Sequence, residues 1–209
     1  LAEDLKKMLE IQRAIHVVTA ELEKTARDGK AYGRPEQIKL AKAATDQRAL
    51  AGSVTGAIEK LAEEDAEVFS WALKGAQEDM VQIAARLEQS KADAFSLRMQ
   101  GEVEATLEKL IEALKEEAKK PKKGGGGGGG GGGKKKPLVP PAAQLKFLRK
   151  LQAEVHEKTQ VVDKARYADS DYERLTPAER EQVDRLSQEQ GRVAGITKQW
   201  ADKLSKGNP

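Results

Sequence analysis

The sequence predicts an elongated all-α protein built from two related antiparallel helical hairpins of the coiled-coil type. Three observations lead to this class. Of the 209 residues, 38% are hydrophobic, only 4% are aromatic and 34% are charged, a balance that suits helices with one apolar stripe and wet outer faces. Apolar residues recur at seven-residue intervals in two segments. Ten consecutive glycines, which have little tendency to form a helix, separate those segments.

An apolar heptad repeat predicts the first helix. Leu1, Met8, Ile15 and Leu22 are seven residues apart, and Leu5 adds the four-residue step of a helix-packing seam. The stretch ARDGKAYGRPE then breaks the helix. A returning helix keeps three- and four-residue steps at Leu40, Gln47, Leu50, Val54, Ile58 and Leu61. A short connection favours antiparallel neighbours, so a helical hairpin is expected here.

Three glycines interrupt the long return helix: Gly52, Gly56 and Gly75. Each weakens a helix by roughly 1 kcal/mol relative to alanine. A glycine also permits another helix to approach closely. The sequence leaves a bend and a close contact as open alternatives.

An extension of the first hairpin is expected up to residue 118. Apolar steps from Phe69 to Leu87 predict one further helix, and the break EQSKADAF follows, in which Ser90 and Asp93 are interpreted as a capping pair. The last helix of the extension is predicted to end before Pro121.

The segment 119–141 is predicted to be a disordered Lys/Gly/Pro linker. It carries a charge of +7, whereas residues 1–118 carry −6 and residues 142–209 carry +2. The basic residues of the linker are Lys119, Lys120, Lys122, Lys123, Lys134, Lys135 and Lys136. Such a cluster is able to bind nucleic acid or an anionic membrane surface by releasing counterions. No aromatic or arginine residue is interleaved for base stacking, so a flexible tether is the preferred interpretation.

A second segment repeats the first. At an offset of 140 positions, LKKMLEIQRAIHVVTAELEK (5–24) aligns with LKFLRKLQAEVHEKTQVVDK (145–164), and both histidines of the chain coincide. After a three-residue insertion the offset becomes 143, which aligns Gln47 with Gln190. We therefore expect a duplication, with copy one at about 5–61 and copy two at about 145–204, each forming one hairpin.

The second hairpin is expected to occupy residues 142–209. Its returning helix has a clear start signal, since Thr176 is suited to the cap, Pro177 to the first helical position, and Glu179 to the completion of a capping box.

A polar pattern recurs in both copies: Gln12, His16, Thr19 and Glu23, and again Gln152, His156, Thr159 and Asp163. Steps of four, three and four residues place these side chains on one stripe beside the apolar stripe. The preferred interpretation is that they flank a helix seam and fix its register. A protein-recognition contact sensitive to pH is the alternative. No paired-histidine spacing supports a metal site.

Catalysis finds no support in the sequence. Cysteine is absent, and no nucleophile elbow, phosphate-binding loop or metal-ligand motif occurs. We expect neither an enzyme nor a bound cofactor. No apolar run reaches the length of a membrane span. The chain begins at Leu1, which indicates a processed product or an excerpt.

The stretches KLAEEDAEVFSWALKGAQEDMVQIAARLEQSKADAF, PLVPPAAQLKFLRKLQAEVHEKT and LTPAEREQVDRLSQEQGRVAG resemble uncharacterised helical proteins of the planctomycete cell envelope. The resemblance covers most of the chain. It implies an exported or envelope-associated scaffold, periplasmic or at the envelope, and carries no catalytic residue with it.

The function expected from the sequence is structural. The chain would act as a scaffold through helix packing, either by self-association or by binding another helical protein. Binding of nucleic acid or of an anionic membrane surface through the basic linker is the alternative.

Overall fold

The computed structural model describes residues 1–119, 138–167 and 176–205, and every regular element in those ranges is an α-helix. The predicted all-α class is therefore confirmed. Seven helices occur in the described ranges: α1 (Ala2–Arg27), α2 (Arg34–Ser53), α3 (Thr55–Glu63), α4 (Glu67–Glu88), α5 (Ala94–Lys119), α6 (Pro141–Tyr167) and α7 (Pro177–Ser205).

The chain divides into two compact units, unit 1 (Leu1–Pro140) and unit 2 (Pro141–Pro209). The predicted linker 119–141 falls largely on residues 120–137, which lie outside the described residues. Lys119 is the last residue of α5.

Unit 1 is a bundle in which α1, α2, α4 and α5 form a closed ring, because α1 packs on α2 and α5, and α4 packs on α2 and α5. Ion pairs join neighbouring helices. Lys39 Nζ of α2 lies 3.0 Å from Glu21 Oε2 of α1, and Arg48 Nη2 of α2 lies 2.6 Å from Glu88 Oε1 of α4. Each helix is antiparallel to its neighbours in the ring, as short connections favour.

Large apolar side chains fill the centre of this ring. The largest wholly buried ones are Leu5, Leu22, Leu61, Phe69, Leu73, Met80, Ile83, Leu87, Met99, Leu107 and Leu110. These residues come from α1, α4 and α5, with Leu61 from α3, and α2 adds Leu40 and Leu50, each 3% exposed. Burial of apolar surface by four helices at once is the main stabilising contribution to unit 1.

The predicted seam of α1 is only partly right. Ile15 and Leu22 are buried, but Leu1 and Met8 are half-buried and Leu9 is buried instead. A two-helix seam buries a narrow stripe. Because α1 is covered by both α2 and α5, it buries a wider face that includes the additional position.

The predicted return helix is interrupted at Val54, where the sequence had left a bend and a close helix contact as alternatives. Helix α2 ends at Ser53, and α3 begins at Thr55. Val54 is wholly buried between them, and the amides of the third and fourth residues after it both donate to its carbonyl, at 3.0 and 3.1 Å. A β-carbon added at Gly52 or Gly56 would meet nothing within 4 Å. These two glycines therefore weaken the helix beside a bend and do not admit a neighbouring helix.

The start of α5 differs from the prediction. The Asp93 carboxylate accepts a hydrogen bond from the Ser96 amide at 2.9 Å and caps the helix. Ser90 is not its capping partner, because it ends α4 in a left-handed conformation with φ 60°. The Ser90 amide donates to Leu87 O at 2.9 Å. A polar residue that tolerates the left-handed region is thus used as a helix stop.

Unit 2 consists, in its described part, of the antiparallel pair α6 and α7. The predicted capping box at the start of α7 is confirmed, since the Thr176 amide donates to Glu179 Oε2 at 2.7 Å and the Glu179 amide donates to Thr176 Oγ1 at 3.3 Å. The buried apolar side chains of the unit are Phe147, Leu148, Leu186, Val193, Ile196 and Trp200.

Candidate functional site

Two glutamines form a closed polar pair in the interior of unit 1. Gln12 Nε2 donates to Gln47 Oε1 at 3.2 Å, and Gln47 Nε2 donates to Gln12 Oε1 at 2.7 Å. Both side chains have a relative exposure of 0%. Because each amide satisfies the other, the pair is tolerated among apolar side chains, and it defines which residues of α1 and α2 face each other.

Thr19 forms a second buried polar contact, one heptad after Gln12. Its hydroxyl donates to Ile15 O at 3.0 Å and accepts from Gln100 Nε2 of α5 at 3.1 Å. Gln100 is wholly buried, and its Oε1 has no hydrogen-bond partner among the described residues. The contact therefore joins α1 to α5 and leaves one buried acceptor unsatisfied.

The other two members of the predicted stripe in copy one lie at the edge of the core. His16 Nδ1 is 2.7 Å from Glu104 Oε1 of α5. Glu23 Oε2 is 3.9 Å from Arg27 Nη2 on its own helix. The stripe was predicted to lie beside the apolar seam. Gln12 and Thr19 instead occupy the seam itself, whereas His16 and Glu23 flank it.

The same chemistry recurs in unit 2. Gln152 Nε2 of α6 donates to Thr197 Oγ1 of α7 at 2.8 Å, and Gln190 Nε2 of α7 donates to Thr159 Oγ1 of α6 at 2.6 Å. Each of these two threonines donates its own proton to the carbonyl four residues earlier, at 2.7 Å. The contacts Gln100–Thr19, Gln152–Thr197 and Gln190–Thr159 thus share one form, in which an amide donates to a hydroxyl that is held by its own helix.

The two helix pairs differ in register by one heptad. In unit 1, Gln47 faces Gln12. In unit 2, its aligned residue Gln190 faces Thr159, which lies seven residues beyond Gln152, the counterpart of Gln12. Seven residues correspond to a slide of about 10 Å along the helix. Gln152 instead bonds to Thr197, whose aligned residue in unit 1 is the apolar Val54.

The largest difference between the units is burial. We call the α6 seam the set Leu145, Gln152, Val155, Thr159 and Val162. The aligned residues of α1 are Leu5, Gln12, Ile15, Thr19 and Leu22, and every one of them is buried. No member of the α6 seam is buried, and Leu145 is 39% exposed where Leu5 is 0% exposed. In unit 1 this face lies between α2, which contacts Gln12, and α5, which contacts Thr19. The described part of unit 2 has α7 in the place of α2 but no third helix in the place of α5.

The remaining predicted residues do not assemble into a reactive centre. His156 lies on the exposed surface of α6, with Nε2 3.0 Å from Gln160 Nε2, and Asp163 is exposed. Across residues 1–119, 138–167 and 176–205, no group of three or more His, Cys, Asp or Glu side chains is arranged to hold a metal ion. All the predicted linker lysines except Lys119 fall outside the described residues, so the nucleic-acid hypothesis stays a prediction.

Sequence reasoning missed the role of Gln100. Its spacing from Val103 and Leu107 places it on the apolar face of α5, and a glutamine in that position is a signal for a buried polar contact. The α1 partner of that contact does not follow from the spacing alone, since α1 and α5 are far apart in sequence.

No protein-family model, curated protein or solved structure matches this chain. The resemblance to envelope proteins therefore stays a prediction. Among the helices that the structure describes, none combines the length and the apolar character needed to cross a bilayer.

Proposed function

We propose that this chain is a non-catalytic scaffold that acts through helix packing, and that the α6 seam is its protein-binding surface. The proposal rests on a difference in burial between α1 and α6 at aligned positions. Five positions that are buried in α1 are half-buried or exposed in α6. Apolar side chains on such a face gain free energy when a partner removes them from water.

The polar members of the α6 seam suit a specific contact. Gln152 and Thr159 are already hydrogen-bonded across the α6–α7 interface, so a partner that covers them does not leave their bonded groups unpaired. The bonded glutamines and threonines also fix the register of the surface that the partner meets.

Photo-crosslinking tests the proposal on the full chain. A benzoylphenylalanine at position 155, on the α6 seam, is expected to crosslink to a helical protein, whether another copy or a different chain. The same group at position 161, which is 62% exposed but lies off the seam, is the matched control and is expected to crosslink at background level.

Substitutions separate a specific contact from random capture. Val155→Glu is expected to abolish binding of the crosslinked partner, and Val161→Glu is expected to leave it unchanged. Circular dichroism must show that both variants keep their helices. Equal crosslinking from positions 155 and 161, or equal binding by the two variants, would refute the proposed function.

A further inference from the structure

Charge is distributed unevenly along the α6–α7 pair. At the end where α6 begins and α7 finishes, residues 141–153 and 191–205 carry six basic side chains and one acidic side chain, a net charge of +5. The remaining described residues of the pair, 154–167 and 176–190, carry five basic and seven acidic side chains, a net charge of −2. Because α6 and α7 are antiparallel, the pair has one strongly basic end, and its other end carries a small acidic excess.

The basic half of α6 ends at the centre of the α6 seam. The seam runs from Leu145 to Val162, so its midpoint lies at Ala153 and Glu154. On α6, Lys146, Arg149 and Lys150 precede this point without an acidic residue, whereas residues 154–167 carry three acidic and three basic side chains and are neutral overall. The excess of basic charge on α6 therefore ends at the turn on which its seam is centred.

We propose that the partner of the α6 seam is the α6–α7 pair of a second copy of this chain, packed antiparallel about a two-fold axis near Ala153 and Glu154. This inference rests on the proposed function. An antiparallel arrangement sets the basic end of each pair against the acidic end of the other. A parallel arrangement would oppose like charges at both ends and is disfavoured. A two-fold axis also makes one surface complementary to itself, as a closed dimer requires.

Unit 1 shows the kind of element that covers this face. There the α1–α2 pair is covered by a second antiparallel pair, α4 and α5, and the four helices close a bundle. Two copies of the α6–α7 pair supply the same number of helices. Their association would complete a four-helix bundle between chains and bury the apolar members of both seams.

Charge reversal tests the identity of the partner in the full chain. One variant replaces Lys146, Arg149 and Lys150 by Glu, and a second replaces Glu154, Glu157 and Asp163 by Lys. Sedimentation equilibrium is expected to show that each variant alone dimerises at least about tenfold more weakly than the parent, whereas an equimolar mixture regains the parental affinity. Circular dichroism checks that both variants remain helical. A mixture that stays as weak as its components would overturn the proposal.

A spin label distinguishes antiparallel from parallel packing of the two copies. The chain contains no cysteine, so Ala142→Cys provides a single labelling site on an exposed residue of α6. Antiparallel packing about the stated axis separates the two labels of a dimer by about 35 Å along the helix direction, from a rise of about 1.5 Å per residue. Parallel packing would bring the labels to roughly the 8–10 Å spacing of adjacent helices, and that result would overturn the proposal.

The outcomes distinguish this inference from the function on which it rests. A chain that remains monomeric while position 155 crosslinks to a different protein would refute the second copy as partner and preserve the proposed function. Crosslinking from position 155 at only the background level would refute both the proposed function and the second copy as partner.

Discussion

Gln12 and Gln47 exchange two amide hydrogen bonds, of 3.2 and 2.7 Å, in the wholly buried interior between α1 and α2. Neither side chain carries a charge, and neither reaches water. Their mutual satisfaction makes the pair compatible with the apolar side chains around it. Gln12 is one of the residues that recur in the second segment. Its contact with Gln47 fixes the register of α1 against α2 and affects the stability of unit 1.

Removing one member of the pair is predicted to cost more than removing both. Gln47→Leu leaves the Gln12 amide buried without its partner and is expected to lower the free energy of unfolding of unit 1 by about 1–3 kcal/mol. The double variant Gln12→Leu/Gln47→Leu is expected to lie close to the parent. Urea unfolding followed by Trp71 fluorescence in a Trp200→Phe background measures the coupling energy. Single effects that simply add would show that the two amides act independently.

Gln100→Leu is predicted to stabilise unit 1. The substitution removes an acceptor, Oε1, that is buried without a partner among the described residues, and Thr19 keeps its hydrogen bond to Ile15 O. A gain of about 1 kcal/mol in the free energy of unfolding is expected. Thr19→Val is the complementary control and is expected to destabilise, because it leaves the Gln100 amide without its remaining contact. A loss of stability in Gln100→Leu would show that this amide is satisfied in solution.

Thr197→Val is predicted to shift the register of α6 and α7 by one heptad. The variant removes the acceptor of Gln152 and installs the residue type of Val54, the aligned position in unit 1. Gln190 would then face Gln152, as Gln47 faces Gln12. Spin labels at residues 142 and 198 report the slide, since their axial separation is expected to fall by about 10 Å. Dilution with unlabelled protein ensures that the measured distances lie within one chain. Thr197→Ser, which retains the hydroxyl, is expected to keep the parental distance.

Asp93 is predicted to make unit 1 sensitive to acid. Burial acts to raise the pKa of this carboxyl, but the Ser96 amide and the Arg86 guanidinium outweigh it and hold the pKa below its ordinary value of 3.8. The ionised form is therefore favoured in the folded state. Its contribution is complete above pH 3.8 and is lost as the pH falls through the lower folded-state pKa.

Asp93→Asn isolates this effect because asparagine retains the capping oxygen but does not titrate. The stability advantage of the parent over the variant, read from urea unfolding, is expected to shrink as the pH is lowered from 6 towards 2. An advantage that stays constant over this range would show that Asp93 does not couple folding to protonation.

Much of the fold follows from local patterns. The helical segments, the capping box at Thr176 and the break before Arg34 each depend on residues that are close in sequence. The bend at Val54 could have been predicted, because Gly52 and Gly56 already weakened the prediction of a straight helix. The choice between a bend and a close contact depended on neighbours from other helices, which no local pattern records.

The glutamine and threonine contacts were harder to predict from the sequence than the helices were. The repeat correctly directed attention to Gln12 and Thr19, yet periodicity placed them beside the seam because polar residues were assumed to lie at its edge. Their true positions depend on partners from distant segments, Gln47 and Gln100. The open face of α6 could not be predicted at all from copies with similar patterns, since the difference lies in which additional helices cover them.

Hydrogen exchange of the full chain tests the central claim most directly, which is that one seam is closed in unit 1 and its counterpart is open in unit 2. At a concentration where the chain is monomeric, the amides of residues 15–22 are expected to exchange at least about a hundredfold more slowly than those of residues 155–162. Similar protection of the two segments would show that the α6 seam is already covered within a single chain, and would contradict the account.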